Sequence, residues 1–263
     1  MIAGKNENSM KRENSEMILG YPITTKTQRE LINEIVSIID MNQKMKYAVF
    51  ANPHSLEVAM KDPVFEAAIK NADFVTPDGV GLVIASRIFG GAVHNRITGS
   101  DIFRELSGVL NEKGGYSYYF LGSTERNLEI IGEKMAVDFP NIRVAGVYSP
   151  PYKPEFSDDD NRLMAEAINR AKPDVLWVGM TAPKQEKWIF LNKHRLNVKF
   201  VGAIGAVFDF YTGNVQRANP FFQRLGLEWL LRLLREPRRL WRRYLVSSPV
   251  FMLKVIGRRM YLL

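Results

Sequence analysis

From residue 46 to residue 205, short apolar runs alternate with stretches whose apolar residues recur every three to four positions. The runs KYAVFAN (46–52), DFVT (73–76), YSYYFLG (116–122), IRVAGVY (142–148), DVLWVGM (174–180) and VKFVGAIG (198–205) are rich in β-branched and aromatic residues. That composition suits strands buried on both faces. Helix-period segments fill the intervals at 55–71, 80–89, 100–113, 124–138, 158–171 and 183–194. Such alternation predicts an α/β fold, a Rossmann-like, mostly parallel sheet with helices on both faces. The pattern divides the chain into a polar N-terminal extension (1–16), an α/β core (17–218) and a C-terminal basic, amphipathic helical appendage (219–263).

The appendage follows a different rule. In the stretch LRLLREPRRLWRRYL (231–245), Arg232, Arg235, Arg239 and Arg242 follow i, i+3, i+7, i+10 and share one helical face, with Leu230, Leu233, Leu234, Leu240, Trp241 and Tyr244 beside it. Pro237 predicts two helices meeting near Glu236–Pro237. A third is predicted after Ser247-Ser248-Pro249, with Phe251, Met252, Val255, Ile256 and Met260 on one side and Lys254 and Arg258 on the other.

Composition sharpens this division. Of 263 residues 46% are apolar, enough for a buried core, and the absence of cysteine rules out disulfide frameworks and thiolate metal sites. The first seventeen residues are polar and lack the apolar core of a secretory signal, and no uncharged apolar run reaches the roughly 18–20 residues a membrane span needs. A cytoplasmic protein is expected. The formal net charge is +8, and residues 224–263 alone hold ten basic residues against two acidic ones, so the entire excess lies in the tail. A tail of that kind faces something anionic.

In a parallel α/β sheet, ligands bind outside the carboxyl ends of the strands. The residues there are Asn52-Pro53-His54-Ser55, Thr76-Pro77-Asp78-Gly79, Gly122-Ser123-Thr124, Gly179-Met180 with Pro183-Lys184-Gln185-Glu186, and Gly202 through Gly205 to Asp209. Several are glycine-rich turns opening helices, where free backbone N–H groups favour a phosphate. Neither GxGxxG nor GxxxxGK[ST] is present, so no standard dinucleotide site or P-loop is expected. Asp158-Asp159-Asp160 follows Ser157 and reads as a capped, acid-rich first turn rather than as a metal site.

The motifs PDGVG (77–81), RITGSD (96–101), APKQEKW (182–188), GAVFDFYTGNVQRA (205–218) and GLEWLLRLLREPRRLWRR (226–243) resemble the WecB/TagA/CpsF glycosyltransferases, from about residue 17 to the C-terminus. The wording of NPHS, GMTAPKQEKW and the arginine tail is more similar to capsule and exopolysaccharide members than to the teichoic acid enzymes. The resemblance implies a metal-independent hexosyltransferase that moves a hexose or N-acetylhexosamine (glucose or N-acetylmannosamine) from a UDP-sugar, with inversion, to a sugar on undecaprenyl diphosphate. It also implies that UDP-sugar is a substrate and that no cofactor or metal is needed.

An inverting transfer needs a base for the acceptor hydroxyl, and the resemblance points to Asp78 of the PDG motif. His54 is the competing base. Arg96 matches the family's active-site arginine and would stabilise the departing diphosphate. Asn52 and Gln185 match polar residues near the substrate, and their amides suit sugar hydroxyls or uracil edges. Family members with Thr-x-Asn differ from Phe50-Ala51-Asn52 here, so one hydroxyl contact is missing and sugar selectivity is expected to differ. Asp209, in an apolar run, needs a partner and reads as a structural or nucleotide-pocket carboxylate. Gly122, Gly179, Gly202 and Gly205 suit close backbone approach, either to nucleotide or to packed neighbours.

The tail, with Trp and Tyr at the apolar boundary, predicts a helix system lying on an anionic membrane surface, placing the protein on the inner face of the cytoplasmic membrane. The resemblance implies that it also closes over the active site, with Arg224, Arg232, Arg235 and Arg239 as candidates for the diphosphate. A homo-oligomer with leucines packed between subunits is compatible with this. The competing reading is a non-catalytic basic protein that binds membrane or nucleic acid, but no nucleic-acid motif is present and the body carries no net positive charge.

Overall fold

The structure, a computed structural model, describes residues 14–41, 44–215 and 228–261; the side chains of residues 228, 232 and 239 lie outside that description. Six strands form one all-parallel sheet: β3 (Lys46–Ala51), β4 (Phe74–Pro77), β5 (Tyr116–Gly122), β6 (Ile142–Tyr148), β7 (Val175–Gly179) and β8 (Phe200–Ala203), in the order β4-β3-β8-β7-β5-β6. All six were expected, within a residue or two. Alternate residues of a strand serve opposite faces. Tyr47, Val49 and Ala51 of β3 enter one core and Ala48 and Phe50 the other. Trp177 of β7, fully buried, centres the second core among Phe103, Tyr118 and Phe200, each edge-on to its indole.

Helices cover both faces. On the first lie α2 (Pro53–Ala59), α3 (Pro63–Lys70), α4 (Val80–Phe89), α7 (Asp158–Ala171) and α8 (Lys184–Asn192). The second face holds α1 (Gln28–Asp40), α5 (Gly99–Lys113), α6 (Glu125–Asp138) and α9 (Val207–Thr212). The single helix expected at 55–71 is two, because Pro63 cannot continue a helix and Asp62 caps a new one, its Oδ1 accepting from Val64 N and Phe65 N at 3.1 Å. The sequence pattern predicted no strand or helix over residues 15–40, which span the end of the expected polar extension and the start of the core. There the chain forms a hairpin, β1 (Ser15–Ile18) and β2 (Tyr21–Thr24), turning through Leu19 and Gly20 at positive φ, and then α1. Helix α1 opens with a Thr27–Glu30 capping box and buries Leu31, Ile32, Ile35, Ile38 and Ile39, a helical periodicity present in the sequence.

The tail forms α10 (Glu228–Arg235), α11 (Pro237–Trp241), a π-helical turn (Arg242–Ser247) and α12 (Ser248–Met260). The break at Pro237 and the start near Ser247-Ser248-Pro249 match expectation. The apolar side of α12 divides, however. Phe251 and Val255 are fully buried and join the first core against α2 and α4, whereas Ile256 and Met260 are exposed.

Candidate active site

Strands β3 and β8 are neighbours, yet the chain leaving β3 goes to α2 on one face and the chain leaving β8 to α9 on the other. Their carboxyl ends therefore bound a crevice, the usual ligand position in open α/β sheets. Asn52 is the N-cap of α2, where its Oδ1 accepts from Ser55 N at 3.1 Å and Ser55 Oγ accepts from Asn52 N at 2.8 Å. The amide Nδ2 has no part in this cap.

Beside it, the PDG turn is fixed by its backbone. Asp78 N donates to Ala51 O at 2.7 Å, tying the turn after β4 to the end of β3. Gly79 has φ +147°, and a Cβ there would lie 3.6 Å from Asn52 Cβ; a Cβ on Gly81 would come within 2.5 Å of Pro53 Cγ. Glycines thus let the Asp78 and Asn52 turns abut. Both side chains are half-buried.

The RITGSD segment reaches the same place by a second hydrogen bond, Ile97 N to Pro77 O at 3.0 Å. Thr98 caps α5 in a reciprocal box with Asp101, and Gly99 packs where a Cβ would sit 3.3 Å from Val207. Half-buried Arg96 is therefore carried next to the Asp78 turn, at the crevice between the β3 and β8 ends. Asn52, Asp78 and Arg96 come from three motifs far apart in sequence and converge through backbone contacts.

Gln185 occupies the β7–β8 side and is buried. Its Oε1 accepts from Met180 N at 3.3 Å, and its Nε2 donates to Ala203 O at 3.0 Å and to Glu186 Oε1 at 2.8 Å. It braces the two strand ends. Gly205, at φ +52°, lies within ordinary contact of that amide. The places a Cβ would take on Gly122, Gly179 and Gly202 are occupied by Gly179 O, the Phe208 ring and the Trp177 ring, so close packing alone requires glycine there. Asp209 has its partner: its Oδ1 accepts from Asn127 Nδ2 at 3.1 Å, and the same Nδ2 reaches Ser123 Oγ at 2.8 Å. Buried Asn127 was not anticipated, because one asparagine in the first turn of a helix carries no sequence signal.

His54, in the first turn of α2, is half-buried, with Nδ1 2.9 Å from Ser247 Oγ of the tail. Burial, and then Arg243, lower its pKa from the ordinary value, so the ring is neutral near pH 7. The acidic triplet is occupied as a cap and in ion pairs: Asp160 with Ser157 and Lys153, Asp159 with Arg162, Asp158 with Arg195. Of the tail candidates, Arg224 and the side chains of Arg232 and Arg239 lie outside the described residues; Arg235 is exposed on α10.

Glu186 was not anticipated either. It is fully buried with Oε2 unpartnered, and burial raises its pKa to about 7. The folded state therefore holds a proton that the unfolded chain releases above its ordinary value of 4.5. Stability from this group is complete below that value and is lost as pH rises to about 7. Glu186→Gln is expected to match wild type at pH 4.5 and to gain on it up to pH 8, by about 3 kcal/mol. Chemical denaturation at the two pH values checks this; an advantage independent of pH contradicts it.

The model of the glycosyl transferase WecG/TagA/CpsF family matches residues 16–262. Among similar proteins, one from Bacillus spizizenii named N-acetylglucosaminyldiphosphoundecaprenol N-acetyl-beta-D-mannosaminyltransferase is 36% identical over 218 residues, covering 83% of this chain and 81% of its own. A Bacillus subtilis protein of the same name is 36% identical over 205 residues, 78% of this chain and 77% of its own. A Staphylococcus aureus protein of that name is 26% identical over 242 residues, covering 90% and 91%.

Proposed function

The chain belongs to the glycosyl transferase WecG/TagA/CpsF family, and from that premise we propose that it is an inverting, metal-independent transferase moving a hexose or N-acetylhexosamine from a UDP-sugar to a sugar on undecaprenyl diphosphate. N-acetylmannosamine is the first donor sugar to test, since the named relatives transfer it to an N-acetylglucosaminyl-diphosphoundecaprenol. The observation that carries the reading is the meeting of Asp78, Asn52 and Arg96 at the crevice between the β3 and β8 ends.

In this mechanism Asp78 takes the proton of the acceptor hydroxyl as that oxygen bonds to the anomeric carbon. The bond from that carbon to the diphosphate breaks on the opposite face, and UDP leaves with the electron pair. Attack from the face opposite the leaving group inverts the centre, so an α-configured nucleotide sugar gives the β configuration in the relatives' names. Arg96, joined by tail arginines, offsets the charge developing on the diphosphate, the role a metal plays in other transferases. Asn52 Nδ2 serves a sugar hydroxyl, and the Asp209–Asn127–Ser123 group lines the nucleoside side.

The acceptor is lipid-borne, and the tail suits an anionic lipid surface on the inner leaflet. Leu234, Trp241, Leu245, Leu253, Ile256 and Met260 are exposed, interspersed with exposed Arg235, Arg238, Arg242 and Arg258. No described helix is long and apolar enough to cross a membrane. Leu253→Glu/Ile256→Glu is expected to weaken sedimentation with phosphatidylglycerol vesicles about tenfold or more, with a melting temperature near that of wild type. Equal binding by the double variant removes this face from membrane contact.

The test of the function is UDP release from a panel of UDP-sugars in EDTA, with and without a short-chain lipid-diphosphate-sugar acceptor. Acceptor-dependent release in EDTA supports the reading, and a requirement for metal overturns its mechanism.

A further inference from the structure

We infer that His54 is a positioning residue: through Ser247 it holds the π-helical turn of the tail against the Asn52 turn, and so sets the tail's place at the acceptor side of the site. The inference rests on the transferase reading above.

Three observations carry it. The first is the contact itself, His54 Nδ1 to Ser247 Oγ at 2.9 Å, between residues 193 positions apart. Through Nδ1, His54 acts in this contact as a hydrogen-bonding group between the body and the tail.

The second is the form of the segment that supplies Ser247. Residues Arg242–Ser247 are π-helical, closed by Ser248 N bonding to Arg243 O and reinforced by Ser248 Oγ to the same carbonyl at 2.9 Å. A π turn inserts one residue, and one residue in a helix is a rotation of about 100°. That rotation falls before Ser247 and sets the face shared by Ser247, Phe251 and Val255, spaced i, i+4 and i+8, relative to the helix that precedes it. Ser247 meets His54, while Phe251 and Val255, further along, bury against α2 and α4. Single-turn π segments are frequent at functional sites.

The third is that both ends of the contact are rigid. On the body side, His54 lies inside the Asn52–Ser55 capping box. On the tail side, α12 is anchored by Phe251 and Val255 and by Lys254 Nζ to Glu57 Oε2 at 2.7 Å, with the Glu57 side chain only 7% exposed. A displacement of the tail at Ser247 therefore acts on the turn that bears Asn52 and abuts Asp78.

The experiment compares wild type, His54→Ala, His54→Asn, Ser247→Ala and His54→Ala/Ser247→Ala. It measures kcat and donor KM for transfer to a short-chain lipid-diphosphate-sugar acceptor, and amide hydrogen exchange over residues 242–260. The expected result is that each alanine variant lowers kcat about tenfold and speeds exchange in 242–247 by a similar factor, with donor KM within about twofold. The double variant should be no worse than either single one. His54→Asn, whose amide can reach Ser247 but cannot take a proton, should recover most of both losses. Unchanged exchange in both single variants overturns the inference, as does a His54→Asn enzyme as slow as His54→Ala. If wild type transfers no sugar from any UDP-sugar, the transferase reading fails, and the exchange data alone still decide whether His54 holds the tail.

Discussion

Replacing Asp78 by asparagine is expected to lower acceptor-dependent UDP release by about 10²–10⁴-fold while leaving the melting temperature nearly unchanged. The change is isosteric, and the turn is held by bonds it does not touch: Asp78 N to Ala51 O, Ile97 N to Pro77 O, and the φ of +147° at Gly79. The change removes the proton-accepting capacity together with the negative charge, and the loss should fall on kcat, with donor KM little affected. Steady-state kinetics in EDTA with saturating acceptor make the measurement. An Asp78→Asn enzyme within threefold of wild type assigns the base elsewhere; His54 would then be examined first, by whether His54→Asn abolishes turnover. Arg96→Lys gives a milder case. It keeps the charge, loses the bidentate geometry suited to a diphosphate, and should cost about 10–100-fold.

The sheet was legible because each strand is a short run rich in β-branched and aromatic residues, buried in all but the edge strand β6, where Arg143 and Val147 are exposed, and the helices between them follow one apolar stripe. Asp62-Pro63 also announced a break that a reading of periodicity alone passed over, and Thr27-x-x-Glu30 before five buried apolar residues marks α1 as plainly as any later helix. The hairpin at 15–24 is harder. Its strands have four residues each, one interrupted by Pro22, and its apolar side is completed by the body core beyond it.

The candidate site was legible in residue type more than in direction. Asn52, Asp78 and Arg96 stand at strand ends or in the segment beside them, and the structure brings them together through contacts between motifs 18 to 44 residues apart. Sequence could not say that Gln185 turns its amide inward to Met180 N and Ala203 O, because the same side chain suits a sugar equally well. Nor could it pair His54 with Ser247, or Glu57 with Lys254, since each contact spans nearly two hundred residues. Periodicity placed Phe251 and Ile256 on one side of α12, but only the tertiary packing decides which of them the body covers.

That division of α12 leads to the second large effect. Phe251→Ala is expected to cost about 3–5 kcal/mol and to lower the melting temperature by roughly 6–20 °C. Phe251 is 0% exposed and packs in the same core as the sheet, so truncation leaves a cavity that the surrounding α2 and α4 cannot readily close. Leu253, two residues away on the same helix, is 69% exposed, and Leu253→Ala should change stability by no more than about 0.5 kcal/mol. The contrast isolates burial from helix propensity, since both changes put alanine at a helical position. Calorimetry on the two variants checks it. A Phe251→Ala protein that melts with wild type would mean that α12 does not share the body's core, and the Lys254–Glu57 pair and the His54–Ser247 contact would then lose the anchor that makes them rigid. With the contrast observed, the last helix is part of the folded body and presents an apolar, arginine-flanked face outward.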